Sequence, residues 1–226
     1  MNLQKIKERI VDNWNPNTRM TMLTIEQLEN IEYCIGDVVK NNIHGDFFEA
    51  GVWRGGACIY ARHVFKSLNE NRKVWVADSF EGLPKPNVEL YPHDNGDNHW
   101  SIPELSVSLE QVKSNFEFFE KLDDNVVFVK GFFKDTLPKC EVKKISVLRL
   151  DGDMYEATSQ SLEYLYDKLS IGGYIIIDDY NCVRGCTVAV NEFREKRGIV
   201  DEMIRCQKNP RDDGMHPSAV YWKKTK

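Results

Sequence analysis

The chain predicts an α/β domain: a mostly parallel, seven-stranded sheet with helices on both faces and an antiparallel hairpin at its C-terminal edge. Three observations lead there. Short apolar runs alternate with longer stretches of helical periodicity along the 226 residues, the pattern of a sheet covered on both sides. Four of the runs stop at an acid: Glu49, Asp78, Asp151 and the pair Asp178-Asp179. A glycine-rich turn, from Gly51 to Gly56, joins the first run to the helical stretch behind it.

Residues 1–24 are polar and are expected to wrap the domain. In 25–41, Ile25, Leu28, Ile31, Ile35, Val38 and Val39 recur at helical spacing. Together these form a helical cap segment, 1–44, ahead of the domain proper, 45–226. Phe47-Phe48 is the first strand, and a helix is expected over 57–68. The second strand is 74–77, ending at Asp78. Residues 84–104 carry Pro84, Pro86, Pro92 and Pro103 and form the longest loop; a loop of that length in one domain is more often a lid or binding loop than filler. A helix over 105–120 and a strand over 126–129 follow. The fourth strand, 145–150, ends at Asp151. A helix over 156–168 closes at the Gly172-Gly173 turn, and the fifth strand, 174–177, ends at Asp178-Asp179. The helix over 184–197 stops at Gly198, leaving 199–206 and 219–222 to pair as the edge hairpin.

Composition narrows the function. The net charge of -5 opposes nucleic-acid binding, which needs a basic face. The first ten residues lack the apolar run of a secretory signal, and no stretch approaches the roughly 18 apolar residues of a membrane span. The six cysteines (Cys34, Cys58, Cys140, Cys182, Cys186, Cys206) show no disulfide framework or zinc spacing. Reduced thiols and a cytoplasmic location are expected.

The turn Glu49-Ala50-Gly51-Val52-Trp53-Arg54-Gly55-Gly56 follows a strand and opens a helix. Its E-x-G-x-x-x-G form differs from the G-x-G-x-x-G that accommodates a pyrophosphate and suits a nucleoside without phosphates, although a plain connecting turn reads the same. Asp78 stands where an acid commonly accepts both ribose hydroxyls; a helix cap is the plainer alternative. Gly131-Phe132-Phe133 offers an aromatic wall for adenine, with core packing an equal alternative. His93 and His99 lie in the long loop, where they could contact substrate, with a solvated loop histidine the plainer reading.

Asp151, Asp153, Asp178 and Asp179 are the most specific signal. They lie at the ends of two strands expected to be neighbours, so several carboxylates share a small volume. Like charges raise one another's pKa and destabilise the site unless a cation neutralises them. Oxygen-only ligands favour magnesium or another hard divalent ion. Helix caps and exposed loop acids are the bland alternative.

Four strings carry a family resemblance: Glu49 to Ala57 (EAGVWRGGA), Val76 to Pro84 (VADSFEGLP), Phe133 to Pro138 (FKDTLP) and Leu148 to Tyr155 (LRLDGDMY). With Ile177-Asp178-Asp179-Tyr180 and Val220-Tyr221-Trp222, they resemble the macrocin O-methyltransferase (TylF/MycF-type) family from about Met20 onward. The resemblance implies a Rossmann-like class I methyltransferase fold that binds S-adenosyl-L-methionine and Mg2+. It implies a small sugar-bearing acceptor, and association as a homo-oligomer. By position, Asp151 would be metal ligand and base, with Asp178 and Asp179 completing the metal site. Glu49, Ala50, Gly51, Val52, Trp53, Gly55, Asp78, Ser79, Gly131 and Phe132 would line the cofactor, with Thr21-Met22 closing over it.

Rival readings are weaker on the residues. A nicotinamide-dependent oxidoreductase lacks both G-x-G-x-x-G and a Tyr-x-x-x-Lys pair, since Ser159 stands four positions after Tyr155. A non-catalytic module would have no need of intact acidic clusters. Methylation of a catechol-like diol stays open beside that of a sugar.

Overall fold

Alternation along the strands sorts the interior into two layers, one on each face of a single sheet. The computed structural model describes residues 2–11, 18–206 and 219–226. The strands are β1 (Asp46–Ala50), β2 (Val74–Asp78), β3 (Val126–Lys130), β4 (Ile145–Leu150), β5 (Leu169–Ile177), β6 (Ile204–Arg205) and β7 (Val220–Lys223). They run in the order β3-β2-β1-β4-β5-β7-β6. The first five are parallel; β7 lies antiparallel to both β5 and β6. Strand order reverses between β1 and β4, so the crevice outside their carboxyl ends is where this architecture takes ligands.

Phe47, Val74, Val76, Val147, Tyr174 and Ile176 face one layer; Phe48, Trp75, Ala77, Leu148, Ile175 and Ile177 face the other. Over the first layer pack α1 (Leu3–Val11), α2 (Ile25–Lys40), α3 (Gly56–Ser67) and α4 (Leu109–Phe118). The short α5 (Phe133–Thr136) follows β3, and α6 (Tyr155–Leu165) and α7 (Arg184–Arg197) cover the second layer. Helix α2 begins at a capping box in which Thr24 and Gln27 exchange side-chain and backbone hydrogen bonds, satisfying two otherwise orphaned amides.

Several elements depart from the sequence reading. The segment 1–24 is not merely a polar wrap: α1 buries Ile6, Ile10 and Val11 in the first layer, and Lys7 reaches Glu29 and Glu32 of α2 at 3.2 and 3.3 Å. Residues 1 and 12–17 of that segment lie outside the described residues. Gly172-Gly173 sits inside β5, which starts at Leu169, five residues before the apolar run. The long loop contains three single 3-10 turns, Pro92–Asp94, His99–Ser101 and Pro103–Leu105. It is anchored by the buried Asp94, whose carboxylate accepts the backbone N–H groups of Tyr155 (2.6 Å) and Glu156 (2.9 Å) at the start of α6. None of the described helices is long and apolar enough to cross a membrane.

Candidate active site

The strand tips are held level by backbone hydrogen bonds just beyond the ladders. Gly51 N–H donates to Ala77 O, Gly131 to Asp78 O, Asp151 to Ala50 O and Asp178 to Leu150 O, each at 2.9 Å. The turn after β1 therefore lies against the end of β4, where Gly51 is required: its φ is +86°, and a Cβ there would sit 1.7 Å from the Asp151 carbonyl oxygen. Gly56 is required for a similar reason. Its N–H binds Met20 O at 3.0 Å, and a Cβ would come within 2.4 Å of that oxygen. This contact lays Met20 to Met22 across the glycine turn.

Between the tips opens a cleft of about 950 Å³ including its open mouth. Met22, Gly51, Val52, Trp53, Asp78, Ser79, Phe132 and Asp151 line it, joined by Leu105, Phe133, Lys134, Asp153, Glu156 and Gln160. Thr21, Glu49, Ala50, Gly55 and Gly131 are not on its wall. Thr21 is buried, its hydroxyl accepting Leu23 N–H at 3.2 Å. Gly55, with φ +82°, caps α3. Three non-glycine residues around the cleft adopt left-handed backbone, Trp53 (φ 48°), Phe80 (φ 58°) and Asp153 (φ 56°). Each such conformation costs on the order of 1 kcal/mol and clusters at functional sites.

Asp78 caps no helix. Its carboxylate accepts Val52 N–H and Phe80 N–H, both at 2.8 Å, and lines the cleft. The indole of Trp53 donates to Glu104 O at 2.8 Å, tying the glycine turn to the end of the long loop.

On the other side of β1 the arrangement is ionic. Glu49 and Arg149 are register partners, each 1% exposed. The Arg149 guanidinium donates to Glu49, to Asp151 Oδ2 (2.7 Å) and to Asp178 Oδ1 (2.6 Å), and Gln27 of α2 also donates to Asp178 Oδ1 (3.0 Å). Asp179 instead accepts Asp153 N–H at 3.1 Å, and has no ion-pair partner among the described residues. One oxygen each of Asp151, Asp178 and Asp179 lies within 4.8 Å of the others. Burial pushes Asp178 up to about 6, and the Asp151 charge adds to this while Arg149 opposes it. Burial and the neighbouring aspartates drive Asp179 well above the carboxylate range. Burial and the charge of Asp151 raise Asp153 to about 7, and burial raises Glu49 to about 7 against the pull of Arg149. Converging oxygens, with one buried carboxylate lacking a counter-charge, fit a hard divalent cation.

Sequence reading passed over Arg149, whose one signal was a charge inside an otherwise apolar strand. His99 of the long loop is paired through Nδ1 with Asp97 Oδ2 at 2.8 Å and does not line the cleft.

Strand order, glycine turn and cleft together define a class I methyltransferase. The model of the macrocin O-methyltransferase (TylF) family matches residues 2–224. The demethyldecarbamoylnovobiocin O-methyltransferase of Streptomyces niveus is 44% identical over 215 residues, 94% of this chain and 78% of that protein. The 8-demethyl-8-(2,3-dimethoxy-alpha-L-rhamnosyl)-tetracenomycin-C 4'-O-methyltransferase of Streptomyces olivaceus is 41% identical over 212 residues, 93% and 77% of the two chains. The solved structure of the O-methyltransferase NovP superposes with a TM-score of 0.91 at 37% identity, covering 99% of this chain and 98% of that one. The chain belongs to the macrocin O-methyltransferase family and is an S-adenosylmethionine-dependent O-methyltransferase.

Proposed function

We propose that this enzyme methylates a hydroxyl on the sugar of a glycosylated small molecule, with a divalent cation, magnesium by preference, held by Asp151, Asp178 and Asp179. The observation that carries it is the double position of Asp151, which lies on the cleft wall and in the carboxylate triad at once. The relatives support the acceptor class, since one of them is named for a rhamnosyl-bearing substrate.

In this reading Asp78 and Ser79 receive the ribose of the donor, Gly51 to Trp53 its amino-acid end, and Phe132 stacks near the adenine. Glu49, Ala50, Gly55, Gly131 and Thr21 support that wall from behind. A bound cation would lower the pKa of a coordinated hydroxyl. Asp151 takes the proton as the acceptor oxygen attacks the sulfonium methyl. The carbon–sulfur bond breaks with its electron pair on sulfur, leaving S-adenosylhomocysteine. The chain's remaining task is alignment of oxygen, methyl and sulfur, worth up to about 7–11 kcal/mol in model reactions. The chain would work in the cytoplasm, as a homo-oligomer.

The test is methyl transfer from S-adenosylmethionine to rhamnosylated polyketides and to catechol diols, each with EDTA and with magnesium restored. The expected result is transfer to the glycosides, lost in EDTA and recovered with magnesium. Full rates in EDTA would remove the cation from the scheme, and transfer to catechols alone would remove the sugar.

A further inference from the structure

Arg149 stands near the carboxyl end of β4, between Leu148 and Leu150 and fully buried, in a strand whose neighbours pack an apolar core. A guanidinium in that setting loses its hydration, and an apolar side chain of similar size would serve the fold as well or better. Its packing is not arranged for its own satisfaction either: Nε is buried with no hydrogen-bond partner. Both terminal nitrogens are committed to acids from three strands, Glu49 of β1, Asp151 after β4 and Asp178 after β5.

Which oxygens it takes matters more than how many. On Asp151 it binds Oδ2 and on Asp178 Oδ1. No described residue donates a hydrogen bond to Asp151 Oδ1 or Asp178 Oδ2. A carboxylate with one oxygen fixed cannot rotate freely, so the direction of its second oxygen is set by the partner of the first. Because the guanidinium is a rigid planar fork, it sets the directions of both carboxylates together. Glu49, anchored by its own position opposite Arg149 and by the Cys58 thiol at 2.7 Å, keeps the fork from turning.

We infer that Arg149 is the positioning residue of the cation site, an internal cation that clamps one oxygen each of Asp151 and Asp178 and aims the free ones at a single centre. The inference rests on the cation reading given above. It assigns to Glu49 the work of holding Arg149 rather than of touching a ligand. Lysine at 149 would preserve the charge and lose the fork.

The experiment uses two variants that leave net charge unchanged, Arg149→Lys and the double variant Glu49→Met/Arg149→Met. Mn2+ binding is followed by electron paramagnetic resonance titration, with S-adenosylhomocysteine calorimetry and the KM for magnesium alongside. Both variants should weaken Mn2+ binding by about 10-fold or more, the scale at which groups orienting metal ligands act. Arg149→Lys should keep wild-type affinity for S-adenosylhomocysteine, and its KM for magnesium should rise more than its kcat falls. Wild-type Mn2+ affinity in either folded variant overturns the inference, and so does failure of both variants to fold, which would make Arg149 a residue of the fold alone. An unmutated enzyme that binds no Mn2+ would instead remove the cation site itself, and this role with it.

Discussion

At the tip of β2 a single carboxylate, Asp78, stands among backbone N–H groups; at the tips of β4 and β5, Asp151 and Asp178 share one guanidinium, with Asp179 beside them. Both places are strand ends with acids, and their chemistry diverges through the number of charges. The dipoles that the turn supplies can partly offset one carboxylate, and for Asp78 two N–H groups at 2.8 Å oppose the burial that still raises its pKa. A cluster exhausts the nearby N–H groups, and Arg149 brings one positive charge to several negative ones. The residue left over, Asp179, has its proton held tightly by burial and by its neighbours. A lone acid held by backbone N–H groups suits a neutral polyol, such as a ribose. An under-compensated cluster suits a cation.

Three measurements break or sharpen this contrast. The largest effect belongs to Asp151→Ala, which removes the proposed base and a cation ligand together. Turnover should fall by about 10²–10⁴-fold or more, with S-adenosylhomocysteine binding preserved in calorimetry because the β2 side is untouched. Equal loss of both would merge the two regions into one. Next comes Asp78→Ala, which strips the partner from Val52 N–H and Phe80 N–H. Weakening of S-adenosylhomocysteine binding by about 1–3 kcal/mol is expected, with Mn2+ affinity unchanged; a variant that binds the nucleoside normally would take the ribose away from Asp78.

The smallest effect is in pH. Asp178 at about 6 and Asp153 at about 7 hold protons more tightly in the folded chain than in the unfolded one. Their contribution to metal-free stability is therefore complete below the ordinary carboxylate range and is lost as pH rises through about 6 to 7. Cation binding needs the ionised forms, so magnesium should raise Tm more at about pH 8 than at about pH 5.5. The difference should be a few degrees, since about 1 kcal/mol is worth about 2–4 °C in a chain of this size. Identical magnesium shifts at the two pH values would mean that the cluster is not the cation's site.

Much of the architecture is legible in the residues. The unbroken apolar runs Val74 to Ala77 and Tyr174 to Ile177 read as strands covered on both faces, and α7 begins and ends where its residues say, with Gly198 in the left-handed conformation that stops it. Other features escape for physical reasons. In α1 only a narrow stripe of Leu3, Ile6, Ile10 and Val11 is apolar, which reads as polar chain until α3 is there to receive it. The start of β5 at Leu169 escapes because Gly172 and Gly173 look like a turn, while their backbone is paired with that of Lys224.

The same division runs through the site. Residue types and local spacing by themselves determined that acids cap several strands and that a glycine turn opens the first helix, because those features live within a few residues of chain. Only the tertiary structure decided which acids meet. Glu49 lies opposite Arg149 because β1 and β4 are neighbours in a particular register, and Asp178 and Asp179 meet Asp151 because β5 ends level with β4. Register at the strand tips is a property of the assembled sheet, set by how its helices cover it, and no single segment carries it alone.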